Sequence, residues 1–366
     1  MAVKVSIVIP SLNVSDYIVE CIESVINQSL KEIEIICVDA GSTDGTLEIL
    51  KRYERIDDRI KVVVSEKKSY GYQVNLGMDI AKGKYFAIVE SDDIIALDMY
   101  EKLYQIAEEK QLDVIKADFY RFVMDNDTMV KTYNKLAYPG MYGRVLTDEN
   151  RAEIIMKASL FTWSGIYRKD FLYENSIRHN ETPGASYQDN GFWFQTMSTA
   201  SRVYFLEQPF YMLRRDNPNS SVLSKGKVYC VRDEYEFILQ YLEQREDLYN
   251  KMISYYWWAR FGAYHYSYHR IGPEYKREFI IHFHETFMLA QQKNELNKEL
   301  FSKKQRAELE QILQEPLAYN AFYQKKAERE SQKRTMLNRF LWCYQDNGLR
   351  YTLKHLLNRV KQKLSR

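Results

Sequence analysis

The chain has 366 residues, 45% of them apolar, with 52 Lys and Arg against 50 Asp and Glu for a formal charge of +2. That length suits a core-bearing domain of roughly 200 residues with a second region beside it, and the apolar content excludes a disordered chain. The near-neutral balance supplies no global field that would gather nucleic acid. Cys21, Cys37, Cys230 and Cys343 show no paired spacing, and the first two fall inside apolar patterns, as small buried hydrophobes do. A cytoplasmic location fits. The N-terminus enters an apolar run, "VKVSIVIP", without signal-peptide features, and no apolar run approaches the roughly 20 residues of a membrane helix.

"KVSIVIP" predicts a buried strand stopped by Pro10. In "NVSDYIVECIESVINQS", Val14, Tyr17, Ile18, Cys21, Ile22, Val25 and Ile26 recur three and four apart, which is one apolar helix face. Asn13 or Ser15 is placed to cap it. "IEIICVD" is a second strand ending on Asp39, and "AGSTDGT" is a turn leading into a helix over "LEILKRYERI". "RIKVVVSE" is a third strand, "KKSYGYQ" a loop before a short helix to Lys82, and "KYFAIVE" a fourth strand after Gly83. A helix from about Leu97 to Lys110 and an apolar strand, "DVIKADFYRF", follow. Residues 123–147 read as irregular, "NGFWFQTMSTA" as a helix, and "RVYFLEQPFYMLRR" as two strands around Pro209.

Strand and helix alternating at this spacing predict an α/β fold: a mostly parallel, Rossmann-like sheet with helices on both faces. Ligands of such sheets bind at the carboxyl ends of the strands. Three polar clusters lie at such ends: Pro10-Ser11, Asp39 with Ser42, and Glu90-Ser91-Asp92-Asp93. Two carboxylates one residue apart at a strand end suit Mg²⁺ or Mn²⁺, hard cations that keep waters and take phosphate oxygens. An acidic turn or a helix cap at Asp92 or Asp93 is the plainer alternative.

"VSIVIPSLN", "IICVDAGSTDGT", "NLGMDIAKGKYFAIVESDD" and "ASYQDNGFWF", in this order, resemble the family 2 glycosyltransferases, which have the GT-A fold. The resemblance covers roughly residues 3–225. It implies a catalytic domain over 1–225, with a nucleotide-sugar half at 1–95 and an acceptor half at 96–225, before a helical region at 226–366. It implies a donor site built from Pro10, Ser11, Asn13, Asp39, Ser42, Lys68, Tyr70, Gly71, Gln73, Glu90, Ser91 and Asp92. Within it Asp39 would meet the base, usually uracil, and Asp92 of the D-x-D-like turn would ligate Mn²⁺ or Mg²⁺. Trp163, Ser164 and Glu181 would face the acceptor, and Asp189 would be the catalytic base. The chain departs from the family pattern at Ala40, Val74, Glu90 and Gln188, where Asp, Arg, Asp and Glu are common. These departures blur the donor's identity and leave Asp39, Asp92 and Asp189 in place.

The resemblance further implies one inverting displacement. The acceptor hydroxyl attacks the donor sugar, Asp189 takes its proton, and the nucleoside diphosphate leaves. Other features read both ways. Lys67 and Lys68 either reach a diphosphate or form a solvated pair. Tyr70 either stacks on the base or packs half-buried, and Trp163 either floors the acceptor sugar or joins the core. His265 and His269, four apart in "FGAYHYSYHR", have no third ligand in sight and read as packing or polar-face residues. "GSTDG" lacks the Gly-Lys-Ser/Thr ending of a Walker loop.

After residue 225 the strand pattern gives way to helical, aromatic and charged sequence. Leu349, Leu353, Leu356, Leu357, Val360 and Leu364 form one stripe among Arg and Lys, with no acid after Asp346. Such a helix either lies on an anionic inner-leaflet surface or packs on its own domain. The aromatic segment "YYWWARFGAYHY" buries against the catalytic domain or in a homodimer. The sequence thus points to a metal-dependent transferase moving a sugar, from a UDP-sugar by the resemblance, to a glycan or lipid-linked glycan of bacterial capsule, exopolysaccharide or O-antigen. Its rivals are a glycosyltransferase extending a protein-linked glycan, a non-catalytic sugar-nucleotide-binding subunit and a nucleotidyltransferase.

Overall fold

The computed structural model describes residues 2–126, 128–219 and 227–333. The chain runs β1 (Val5–Ser11), α1 (Ile18–Ile26), β2 (Ile33–Asp39), α2 (Thr46–Glu54), β3 (Ile60–Val64), α3 (Tyr70–Ile80) and β4 (Tyr85–Ile88). Then come β5 (Ile94–Ile95), α4 (Met99–Lys110), β6 (Val114–Asp125), β7 (Thr128–Asn134), β8 (Val145–Leu146), α5 (Arg151–Lys157), β9 (Gly165–Arg168) and α6 (Lys169–Glu174). The helix α7 (Gln188–Thr199) and the long β10 (Val203–Arg214) complete the strand-bearing part. Only helices follow among the described residues: α8 (Cys230–Glu243), α9 (Glu246–Arg270), α10 (Pro273–Gln292), α11 (Lys303–Gln314) and α12 (Pro316–Lys333).

One sheet has the order β3-β2-β1-β4-β9-β6-β10-β5, with β7 on β6 and β8 on β10. The β1–β2, β2–β3, β1–β4 and β6–β10 pairs are parallel, and β9 enters antiparallel between β4 and β6. Every residue of β1 is buried, as a central parallel strand requires. From β1 the chain steps outward to β2 and β3, then returns past β1 to β4. Right-handed crossovers therefore set α1 and α2 on one face and α3 on the other. The reversal lies between β1 and β4, so a crevice opens at the carboxyl ends of these two strands.

Several local expectations are corrected. Pro10 does not stop β1, which continues to Ser11 with Pro10 opposite Val38. Neither Asn13 nor Ser15 caps α1, which starts after Tyr17 without a side-chain cap. The helix α3 starts earlier than expected, at Tyr70, capped by Ser69 Oγ accepting from Tyr72 N. The irregular stretch holds a long hairpin, β6 with β7. The two strands around Pro209 are one, β10, whose register shifts between Leu206 and Tyr211, where proline cannot donate to the ladder.

The described residues form two compact units: 2–271 with 294–300, and 272–293 with 301–333. The first holds the whole sheet and α1 to α9. In the second, Phe279, Ile280, Phe283 and Phe287 of α10, Leu309 and Ile312 of α11 and Tyr319 of α12 are buried. No described helix is long and apolar enough to cross a membrane. The basic stripe from Leu349 to Leu364 lies outside the described residues.

Candidate active site

Asp39 ends β2 fully buried and organises the turn after it. Its Oδ1 accepts from Gly41 N at 2.9 Å and Ser42 N at 2.8 Å, and its Oδ2 from Ser42 Oγ at 2.6 Å and Ser11 Oγ at 3.1 Å. Gln73 of α3 donates to the carbonyls of Ser11 and Val38, tying the ends of β1 and β2 together. The loops beyond are laced to each other. Asn13 N donates to Ser42 Oγ at 2.8 Å, and Asn13 Oδ1 accepts from Thr43 N at 2.9 Å. Burial would raise the Asp44 carboxyl, but hydrogen bonds from Thr46 and Ser15 hold it down at about 2.

The acids after β4 take different environments. Glu90 Oε1 accepts from the Tyr70 hydroxyl at 2.7 Å, and Glu90 N donates to the Tyr211 hydroxyl at 2.9 Å. Burial pushes Glu90 up to about 7; Tyr70 pulls it down, and the charges of Asp92 and Asp189 push it up again. Ser91 is buried in the turn, and Asp92 is partly exposed, its Oδ2 accepting from Asn217 Nδ2 at 2.7 Å. Asp93 is fully buried, accepts from Arg214 N at 2.7 Å, and is pushed well up by burial and by Asp92. Asp93 is thus the acid that serves the fold, and neither it nor Asp92 caps α4, whose N-cap is Asp98. Arg214 buries its guanidinium between the rings of Tyr17 and Phe122, donates from Nε to Asp92 O, and pairs with Glu20.

Asp189 occupies the first turn of α7, which follows Tyr187 in left-handed backbone at φ 67°. Burial lifts its carboxyl to about 6 against the pull of backbone N–H groups. The preceding loop is tightly held. Gln188 donates to the carbonyls of Thr182 and Gly184, and His179 Nδ1 donates to Gln188 O. Burial drives His179 down to about 3, so it is neutral and donates from Nδ1. The loop also joins the segment that leads into α3. Gly184 O accepts from Tyr70 N at 2.9 Å, and Gly184 N donates to Lys68 O at 2.7 Å. Gly71 permits this approach: a Cβ there would lie 1.9 Å from Asn180 O.

The structure therefore brings Ser11, Asn13, Asp39, Ser42, Tyr70, Glu90, Asp92 and Asp189 to one end of the sheet, although their segments are far apart in sequence. Other expected residues sit there in supporting positions. Pro10, Gly71 and Gln73 face inward and pack or brace, and Lys68 contributes its backbone. Glu181 is paired with Lys67 at 3.0 Å and accepts from Asn75 at 3.2 Å. Trp163 is only 6% exposed and stacks on Tyr211 at 4.5 Å. Ser164 is fully buried at φ 63°, its hydroxyl donated to Ala117 O. His265 and His269 lie on α9 with their Nε2 atoms 3.2 Å apart, and no group of three or more metal-ligating side chains occurs among the described residues.

Sequence reasoning missed Tyr211, Arg214 and Asn217, which shape the acidic turn from the end of β10. The polar run "RRDN" straight after an apolar strand was the available signal. A hollow lined by Lys84, Glu108, Asp113, Arg168 and Arg202 lies at the opposite, amino end of β4 and β6. Lys84 is paired with Glu108 and Arg168 with Asp113, and Arg202 donates to the Lys110 carbonyl.

A family model described as glycosyl transferase family 2 matches residues 6–172. The chain is 42% identical to glycosyltransferase GlyG of Streptococcus pneumoniae over 59% of its own length and 72% of the relative's. It is 32% identical to the putative teichuronic acid biosynthesis glycosyltransferase TuaG of Bacillus subtilis, over 46% of its length and 73% of the relative's. Another curated relative is matched over only 62% of its length. The fold resembles that of S. aureus TarS 1-349, solved in complex with UDP-GlcNAc, with a TM-score of 0.65 at 20% identity over 89% of this chain and 92% of that one.

Proposed function

This chain belongs to glycosyltransferase family 2, and from that premise we propose that it transfers a sugar from a UDP-sugar to a glycan acceptor of bacterial surface polysaccharide. The observation that carries the reading is electrostatic. Asp92 and Asp189 both press on the Glu90 carboxyl, so the donor-side acid and the base share one crevice. The complex of TarS with UDP-GlcNAc and the teichuronic acid assignment of TuaG support the donor and acceptor classes.

In this reading residues 1–95 hold the donor and 96–225 the acceptor, and the described residues beyond them, 227–333, are helical. Ser11, Asp39 and Ser42 form the floor for the base and ribose. Asp39 already accepts from four donors, so a uracil would reach it by replacing a hydroxyl. Asp189 sits partly exposed with a raised proton affinity, which suits a general base near neutral pH. It accepts the acceptor hydroxyl's proton as the bond to the sugar forms, the nucleoside diphosphate leaves, and the anomeric centre inverts.

The residues fit a divalent cation of the Mg²⁺ or Mn²⁺ type. Asp92 presents a partly exposed carboxylate beside other acids, and the guanidinium of Arg214 is spent on Glu20 and Asp216. Asp92 would hold the cation, waters and diphosphate oxygens completing its shell. When bound, the cation would offset charge on the leaving diphosphate. A lipid-linked acceptor would place the enzyme at the inner face of the membrane, and the basic stripe after Asp346 suits that surface.

The test is a panel of UDP-GlcNAc, UDP-glucose and UDP-galactose, each with and without Mn²⁺, scored for nucleoside diphosphate release and for sugar on the acceptor. UDP release is expected. Pyrophosphate release would instead identify a nucleotidyltransferase, and tight donor binding without turnover a binding subunit.

A further inference from the structure

The first four N–H groups of a helix find no partner inside it. In α7 the N–H next after these, that of Gly191 in the first turn, donates to Oε1 of Glu234 at 2.8 Å. Glu234 belongs to α8, outside the segment that the family model matches. It is 1% exposed, and its Oε2 has no hydrogen-bond partner among the described residues. A buried carboxyl with one oxygen unused is costly, and an apolar side chain would fill that space without the cost. The helix above is shaped to receive it. A Cβ on Gly191 would lie 2.1 Å from Oε1 and 3.3 Å from the Phe237 ring.

The groups facing Glu234 are Asp189 from α7, Asn180 from the loop before it, and Asp233 on its own helix. Burial first, then the Asp189 and Asp233 charges, push it up to about 8, with Asn180 and Gly191 pulling the other way. At neutral pH it is a neutral acid. It can therefore hold an N–H of the first turn without adding a second negative charge to the helix start where Asp189 sits.

We propose that Glu234 is a positioning residue for sugar transfer: through Gly191 N–H it fixes the first turn of α7, and so the direction in which Asp189 points. The proposal rests on the reading of Asp189 as the base. It makes the first helix after the sheet a working part of the site. A displacement of a catalytic group by about 1 Å can cost on the order of 10²-fold in rate.

The experiment measures UDP release with the UDP-sugar chosen from the panel, per folded enzyme, for Glu234→Ala, Glu234→Gln, Gly191→Ala, the double alanine variant and Asp189→Asn. Glu234→Ala should lower kcat about tenfold or more, with the donor KM within about twofold. Glu234→Gln, whose amide oxygen accepts the same N–H, should restore kcat to within about threefold. Gly191→Ala should be as damaging as Glu234→Ala, and harmless when added to it, because the methyl enters the vacated space. An unchanged kcat in Glu234→Ala with only a lower Tm would overturn the proposal, as would a glutamine variant as slow as the alanine one or additive losses in the double variant. Asp189→Asn separates the two readings. Full turnover there removes the base itself, whereas its loss beside an unaffected Glu234→Ala removes the positioning role alone.

Discussion

The Tyr70 hydroxyl donates to Glu90 Oε1 at 2.7 Å, joining the first residue of α3 to the acid that follows β4. That bond lowers the proton affinity of a carboxyl which burial would otherwise raise further. Tyr70→Phe leaves the buried oxygen without its donor, at a cost of about 1–3 kcal/mol. Glu90 then ionises at higher pH, so the rising limb of the pH–rate profile should move to more alkaline values. A profile superimposable on the wild type would show that Glu90 need not be charged for turnover.

Asp189→Asn keeps the shape of the first turn of α7 and removes the basicity. Turnover should fall by about 10²–10⁴-fold, while UDP binding by calorimetry and the Tm stay near wild type. Asparagine suits the start of a helix almost as well as aspartate, so a purely structural role for this first-turn residue forecasts normal turnover.

Chelation, or Asp92→Asn, should weaken UDP binding and abolish transfer, and added Mn²⁺ should restore the chelated wild type but not the variant. Undiminished transfer in excess chelator would remove the cation from the mechanism. The Tm should change little, because Asp92 is partly exposed and its main tie is to Asn217.

Stability should fall as pH rises across the range where Glu234 titrates. Its carboxyl ionises near 8 in the folded chain and near the ordinary 4.3 when unfolded. Between those values the folded state binds the extra proton, so its contribution is full below about 4 and is lost as pH climbs through about 8. Glu234→Gln cannot ionise. Its Tm relative to wild type should therefore rise between pH 5 and pH 9, by an amount equivalent to no more than a few kcal/mol. A pH-independent difference between the two proteins would show that Glu234 is charged throughout.

Gly71→Ala should be among the most damaging single-methyl changes, because the added carbon meets a backbone carbonyl, Asn180 O, that cannot rotate away. A loss of about 1–3 kcal/mol in stability is expected, with activity falling more than stability because the loops before α3 and α7 part. Thermal melts and UDP release on the same preparation check both.

The alternating strands and helices of the first half were legible because fully apolar runs and three-and-four spacing report burial directly. The same pattern places a crevice at the carboxyl ends of the strands. The hairpin of β6 and β7 was hidden because most of its outer residues, Thr128 and Lys131 to Tyr133 among them, are exposed and carry no apolar alternation. Pro209 misled because a proline within one strand looks like a break between two. The acids Asp39, Glu90, Asp92 and Asp189 stand out by residue type at strand ends and a helix start. Tyr211, Arg214 and Glu234 do not. Each supports the site through a contact across more than a hundred residues or from another helix, such as the 121-residue span from Tyr211 to Glu90, and no local pattern encodes such a partner.

The pairing of the loop before α3 with the loop before α7 also bears on how the protein comes to be folded. Asn75 and His179, 104 positions apart, exchange hydrogen bonds, and Ser69 bridges to Gly184 beside them. Contacts of such long range form only after the intervening chain has been gathered, since loop closure must precede any gain from them. The sheet can begin from neighbours such as β1 and β2, but this junction has to wait for α7 to arrive. Amides at Tyr70 and Gly184 should accordingly acquire protection from hydrogen exchange later in refolding than those of β1, and a nascent chain that has only just emerged past β4 would hold the acids of the crevice without the partner loop that completes them.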